Sequence, residues 1–251
     1  MNENDILIAH MNDLAGRAVR TGFAASKFLT PAESQSVTEY FTHRKDAALS
    51  FDGGFEGAER TRAVFTNPDW GEYKRAGLFA ALRIAHSPQY ALCHRDILGA
   101  LMSLGIERES IGDIVVGDES AAFVSLPELG GYIIENLTKA GRVGLKVFAI
   151  GLGELPAREE KLTLKSDTVA SLRLDAVLSS AFDMSRSNAA ELIATGRVSL
   201  NHQVCLRADK EVAVGAILSA RGLGRAKLTE AGGVSRKGRI FIQIGIYGGI
   251  K

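Results

Sequence analysis

Five arginines in the last third of this chain, Arg173, Arg186, Arg197, Arg221 and Arg225, share one property: none falls on an apolar stripe of the element that would carry it. All five are therefore expected to face solvent. Guanidinium groups gathered on one face suit phosphate oxygens, which they hold through charge-assisted and often bidentate hydrogen bonds. Ser185 and Ser187 flank Arg186 where a helix is expected to begin. The unpaired backbone N–H groups of such a helix start favour an anion in the same place. A catalytic centre would need a nucleophile, a base and an electrophilic stabiliser at readable spacing, and no such set appears.

The elements that position these residues follow from periodicity. Leu174, Val177, Leu178, Ala181 and Phe182 recur at three- and four-residue steps and predict one helix. Ser185 is the expected N-cap of a second, whose stripe is Ala189, Leu192 and Ile193, and Gly196 is its left-handed stop. Val198 and Leu200 alternate with Ser199 and Asn201, which predicts a strand. Val212, Val214 and the run through Ile217 and Leu218 predict another. Asp175 is expected to pair with a nearby arginine or to cap its helix. From Lys227 to Arg239 the chain is rich in Gly, Ser and basic residues and reads as a loop. Its Lys227, Arg236, Lys237 and Arg239 either track a phosphate backbone or solvate that loop. Ile240, Ile242, Ile244 and Ile246 alternate with Phe241, Gln243, Gly245 and Tyr247 and predict a last strand.

This segment resembles an S4 domain, a small RNA-binding module. The resemblance is carried by Arg173-Leu174-Asp175, Ser185-Arg186-Ser187, Gly196-Arg197-Val198, Asn201, and Arg221-Gly222 before Arg225, in that order. It implies an RNA-binding face made of Arg173, Ser185, Arg186, Ser187, Arg197, Asn201, Arg221, Gly222 and Arg225, with structured ribosomal or transfer RNA as the typical target. The plainer alternative is a small α+β domain with solvated arginines.

Charge is distributed accordingly. The chain is almost neutral, but from Ser171 onward twelve Lys/Arg stand against six Asp/Glu, and before it eighteen against twenty-three. A basic end on an acidic body is expected where one module meets nucleic acid. No apolar run reaches membrane-spanning length and the start lacks a signal core, so a cytoplasmic protein without membrane contact is expected. Cys93 and Cys205 lack metal-type spacing and read as reduced packing residues. No cofactor or metal is expected.

Toward the N-terminus, Leu7, Met11, Leu14 and Ala18 predict a helix within residues 1 to about 25. Thr30-Pro31-Ala32-Glu33 predicts a capped second helix with Val37, Tyr40 and Phe41 on one face. Strands are expected at Ala47 to Phe51 and Thr61 to Phe65. The stretch GGFEGAERTRAVF lacks the Gly-Lys-Ser/Thr ending of a phosphate loop and reads as a glycine-rich turn, with Arg60 and Arg62 as a secondary RNA surface. Further on, strands at Leu78 to Ala85, Asp113 to Val116, Ala121 to Leu126 and Leu145 to Ile150 interleave with helices at Arg95 to Leu104 and Tyr132 to Ala140. The order β-α-β-β-α-β is that of a ferredoxin-like, RRM-like fold. Its strands lack an aromatic-rich signature, so base stacking on this sheet is not expected. His94-Arg95-Asp96 has Leu101 where a kinase catalytic loop needs asparagine, and Asp96 reads as a helix-start charge.

GGFEGAERTRAVF and LCHRDILGALMSLGIERESIGDIVV extend the resemblance to YlmH-type proteins, bacterial S4-domain proteins often encoded beside cell-division genes. The expected α+β organisation is an N-terminal α+β domain at 1–75, a ferredoxin-like domain at 76–158, a linker at 159–170 that could open with one strand leading into the next domain, and the S4 domain at 171–251. The resemblance implies a non-catalytic protein on the large ribosomal subunit, engaged with rRNA or tRNA in quality control of stalled translation. The alternatives are an RNA-modifying enzyme of pseudouridine synthase or methyltransferase type, and a division scaffold with a protein partner. Against the enzyme, the S4 module is C-terminal rather than leading the chain, and no methyltransferase-type glycine motif follows a strand.

Overall fold

In this computed structural model, which describes residues 2–70, 77–87, 89–90, 92–117, 120–156 and 162–248, side-chain caps decide where the first helices begin. The Asn2 side chain accepts from the Asp5 N–H and Asp5 returns the bond to Asn2, so α1 runs Glu3–Thr21 and stops at Gly22, φ 88°. Strand β1, Phe23–Leu29, follows at once, where periodicity alone had extended the helix. Thr30 and Glu33 form the expected capping box of α2, Pro31–Phe41. With β2, Ala48–Asp52, and β3, Thr61–Thr66, the first sheet has the order β1-β3-β2, all antiparallel. Both helices cover one side of it with Met11, Leu14, Ala18, Val37 and Phe41. Tyr40, expected on that apolar face, lies 58% exposed.

The second sheet comprises β4, Ala80–His86; β5, Ile111–Val116; β6, Ser120–Ser125; β7, Lys139–Ala140; and β8, Val143–Ile150, with α3, His94–Ser103, and α4, Gly130–Asn136. Its order is β5-β6-β4-β8 with the two-residue β7 beyond β8, and every pairing is antiparallel: the split βαβ arrangement expected. Asp96 accepts from the Cys93 N–H and starts α3, which leaves Cys93 exposed at a helix start rather than packed. Helix α4 is shorter than expected because the chain turns at Leu137 and returns as β7. The expected turn at Gly117-Asp118 falls partly outside the described residues.

The other side of this sheet is not open. Phe28 and Val64 from the first sheet pack with Leu78, Ala81, Ala122 and Val124 in one core. Arg62, 9% exposed, sits at this seam. Its Nε donates to the Ser26 carbonyl at 2.6 Å, its Nη1 to the Leu78 carbonyl, and its guanidinium lies 5.9 Å from the Phe79 ring centre. Arg60 is half-buried and donates to the Phe28 carbonyl. The secondary RNA surface expected at these two arginines is thus an internal brace, because the strand alternation turns Arg62 into the seam. Contacts divide the chain into two compact units, 1–158 and 159–251, and the first contains both sheets.

The second unit holds one sheet ordered β11-β10-β12-β13-β14-β9. Its elements are β9, Leu162–Val169; α5, Leu174–Ala181; α6, Arg186–Ala194; β10, Val198–Leu200; β11, Gln203–Val204; β12, Ile217–Ala220; β13, Gly224–Val234; and β14, Ile240–Tyr247. Three expectations change here. Residues 162–169 are not linker: they pair with β14 along its whole length, and residues 159–161 of the expected linker lie outside the described residues. Residues 227–234 are strand rather than loop, because they satisfy the other edge of β14. Val212 is buried but outside any strand, since Gly215 at φ 89° turns the chain and the strand begins only at Ile217. The helices pack on the side lined by Leu218, Leu228, Ile244 and Ile246. No helix among the described residues is long and apolar enough to cross a membrane.

Replacing Arg62 leaves two buried carbonyls without a donor, and charged-donor hydrogen bonds contribute about 1.5–3 kcal/mol each. Arg62→Ala is expected to lower the stability of the first unit by about 2–4 kcal/mol in urea titration. A change below about 0.5 kcal/mol, the size usual for surface positions, would show that Arg62 is not a brace.

Candidate nucleic-acid interface

Helix α6 sets the positions of the basic residues because both its ends are capped. At the start, the Ser185 Oγ accepts from the Asn188 N–H at 3.1 Å and lies 2.8 Å from the Ser187 Oγ. At the end, Gly196 at φ 69° donates to the Ile193 carbonyl while the Arg197 N–H reaches back to Leu192, the paired bonds of a Schellman motif. Arg186 and Arg197 therefore stand at opposite ends of the helix, roughly 15 Å apart along its axis.

At the Arg186 end lies Asp175, 6% exposed in the first turn of α5. The Arg186 Nη2 donates to its Oδ2 at 2.6 Å and the Arg173 Nε to its Oδ1 at 3.2 Å. Burial pushes the Asp175 carboxyl up, but the hydrogen bonds and charges of Arg186 and Arg173 outweigh that and hold it below the usual carboxylate value. Asp175 thus pairs with two arginines, as its position suggested. Arg173 and Arg186 remain largely exposed on their outer sides.

At the other end, Arg197 and the three-residue loop between β12 and β13 hold each other. The Arg221 N–H donates to the Arg197 carbonyl at 2.9 Å, and the Arg197 Nη2 donates to the Arg221 carbonyl at 3.1 Å. Within the loop, Leu223 N–H bonds back to Ala220 across Gly222, whose φ of 89° is the left-handed position such a turn needs. Arg225, the first side chain after the loop to face away from the helices, lies half-buried with its guanidinium 4.7 Å from the Tyr247 ring centre. The expectation that all five arginines face solvent therefore fails for Arg225, because the last strand places an aromatic under it. Arg197, Arg221 and Arg225 line one groove of about 900 Å³ with Ser199, Ser219 and Tyr247. A shallower groove runs from it along α6, past Leu192 and Asn188 to Met184, and Met184 also lines the hollow beside Arg186.

Asn201 has a different task. It sits at φ 48° in the two-residue turn between β10 and β11, and both its N–H and its Oδ1 bond to Ile217. Turn chemistry accounts for its presence. Arg207 is outside the groove and pairs with Asp209 at 3.1 Å. Tyr247 was missed by sequence reading, although the alternation of β14 places it on the face opposite Ile246. Among the described residues no group of three or more His, Cys, Asp or Glu is arranged to hold a metal ion.

Comparison with known proteins adds to this geometry. Residues 80–154 match a family model described as "Putative RNA-binding domain in YlmH", and residues 172–218 match the S4 domain. Over 215 residues the chain is 32% identical to the ribosome-associated protein quality control protein P2 of Bacillus subtilis (strain 168), covering 84% of this chain and 82% of that one. The solved structure of the cell division protein ylmH from Streptococcus pneumoniae aligns with a TM-score of 0.52 at 20% identity, over 62% of this chain and 96% of that one, a likeness of fold.

The depressed carboxyl of Asp175 gives a pH signature. Its contribution to stability is complete above the ordinary carboxylate range and is lost as pH falls through its lower folded value. Asp175→Asn is expected to cost about 1–2 kcal/mol near neutral pH, less than a fully buried pair because both arginines are partly solvated. The difference from the parent should shrink as pH falls below about 4. Urea midpoints across that range test it, and a difference independent of pH would show that the carboxylate charge is not what is lost.

Proposed function

The chain belongs to the YlmH family of S4-domain proteins, and on that footing we propose that it is a non-catalytic RNA-binding protein of the ribosome. The observation that carries this reading is the groove at the C-terminal end of α6. Arg197, Arg221 and Arg225 line it, from a helix end, a loop and a strand, with the first two tied together by reciprocal hydrogen bonds. Cations fixed in advance lose little freedom on meeting phosphates, and Arg forms the planar, two-pronged contacts that phosphate oxygens favour. The second cluster, Arg173 and Arg186 with the capped α6 N-terminus, extends the positive surface along the same helix. A track of this length suits the backbone of a folded RNA.

The finer reading is that the target is rRNA and tRNA of a large ribosomal subunit halted in translation, which places the protein in the cytoplasm. Its support is the relative from Bacillus subtilis, named for ribosome-associated quality control. Crosslinking in cells, followed by mapping of the attached nucleotides, tests it. Sites concentrated on large-subunit rRNA and tRNA are expected, and crosslinks spread over messenger RNA would overturn it.

In vitro, Arg197→Ala and Arg221→Ala are each expected to weaken binding of a structured rRNA fragment on the order of tenfold or more, the loss of a charge-assisted hydrogen bond. Arg186→Ala should weaken it too, whereas Arg207→Ala, ion-paired outside the groove, should change it little. With about four to six phosphates neutralised, log affinity should fall against log salt with a slope of roughly −3 to −5. Equal losses for Arg207 and the groove arginines would reduce the site to general positive charge.

A further inference from the structure

Beyond the S4 face, we infer that the far end of the β13–β14 hairpin is a second RNA contact, one that takes unpaired nucleotides; this rests on the RNA-binding reading above. The hairpin tip is held by its own hydrogen bonds. Ser235 N–H donates to the Arg239 carbonyl at 2.8 Å, Gly238 N–H to the Ser235 carbonyl at 2.9 Å, and Arg239 N–H to the Ser235 Oγ at 3.1 Å. This tip presents Arg236 and Lys237 to solvent, and neither enters an ion pair among the described residues. From Ala231 to Lys251 the chain contains no Asp or Glu, so the charge there is uncompensated by sequence neighbours. Arg239 anchors the tip sideways by donating to the Thr168 Oγ1 at 3.0 Å and to the Thr168 carbonyl.

Next to the tip lies an exposed aromatic. Phe241 points to the side of the sheet opposite Ile242 and Ile244, is 51% exposed, and pairs across the strands with Gly232. Gly232 and its neighbour Gly233 put no side chain over the ring. A groove of about 800 Å³ runs beside it, with Thr168, Thr229 and Gln243 as polar neighbours and Val214 at its edge. Cations beside an uncovered ring are the combination that holds single-stranded RNA, the ring taking a base face and the cations the flanking phosphates. A duplex hides its base faces in the stack and offers this ring nothing. Glu230 and Asp167 also line the groove and repel phosphate as they would an acidic peptide, so the groove takes the base face and the flanking phosphates fall to Arg236 and Lys237 at the tip. The eleven-residue β13 puts this end roughly 30 Å from Arg225, so the two contacts can be separated experimentally.

The experiment uses the full chain and two probes, a labelled oligouridylate of about ten nucleotides and a stable RNA hairpin whose short loop is closed by a structured, internally stacked turn, read by fluorescence anisotropy. Phe241→Ala, and separately the double variant Arg236→Ala/Lys237→Ala, are expected to weaken oligouridylate binding on the order of tenfold and to leave hairpin binding unchanged. The double variant should also make the oligouridylate salt slope shallower by about 1.4. Arg197→Ala/Arg221→Ala should do the reverse and weaken the RNA hairpin. Unchanged oligouridylate affinity in Phe241→Ala, with thermal melting equal to the parent, overturns the inference. So does an oligoglutamate peptide that competes as well as the RNA, which would make the surface a protein contact. Loss of oligouridylate binding in the hairpin-end variants with no effect of Arg197→Ala/Arg221→Ala would remove the S4 face and leave this contact standing.

Discussion

One buried carboxylate organises the C-terminal unit. Asp175 lies in the first turn of α5 and is gripped by Arg173 from its own helix start and by Arg186 from the first turn of α6. A carboxylate so shielded from water is tolerated only when paired, so the starts of α5 and α6 have to meet. Their meeting fixes the course of α6, and with it the place where Arg197 leaves the helix. The backbone around this point is equally committed: the first free N–H groups of α5 are taken by the carbonyls of Ala208 and Lys210. Of the groove arginines, Arg197 is held on the Arg221 carbonyl and Arg225 against Tyr247, which lowers their ordering cost of meeting phosphates.

The first unit shows how a fold can withhold the surface its class usually offers. A four-stranded ferredoxin-like sheet has one side for its helices and one side free. Here the free side of the central strands β4 and β6 is packed under Phe28 and Val64, and Arg62 ties the seam to the backbone. Gly112 and Gly54 mark how closely the sheets approach: a Cβ on Gly112 would stand 2.5 Å from Val124 and 2.7 Å from Phe28, and one on Gly54 would stand 2.9 Å from Val124. Whatever this unit meets, it does not meet it through the middle of that sheet.

Charge follows the same division of labour. In the N-terminal unit Arg62 is buried at the seam, and Lys27 is paired at the surface with Glu107 and Glu109. In the C-terminal unit Arg197, Arg221, Arg236 and Lys237 enter no ion pair among the described residues. Exposed cations without carboxylate partners generate the positive potential that steers an RNA, and this explains how a nearly neutral chain suits such a partner.

Local chemistry was legible in the residues themselves. The capping box at Thr30, the helix-start charge of Asp96, the N-cap at Ser185, the left-handed Gly196 and the alternation of the final isoleucines depend on neighbours within a few positions, and they stand where spacing put them. The β-α-β-β-α-β order was readable for the same reason. Pairing across the chain was not. Residues 227–234, with Gly232 and Gly233 among them, do not read as a strand, and residues 162–169 read only as a connector that could open with one; both are strands because β14 has two edges whose N–H and C=O groups must be satisfied. Arg62 and Arg225 look like any surface arginine in a line of letters. Only the packed structure turned one into a seam and laid the other on Tyr247, since burial is a property of what arrives from far along the chain.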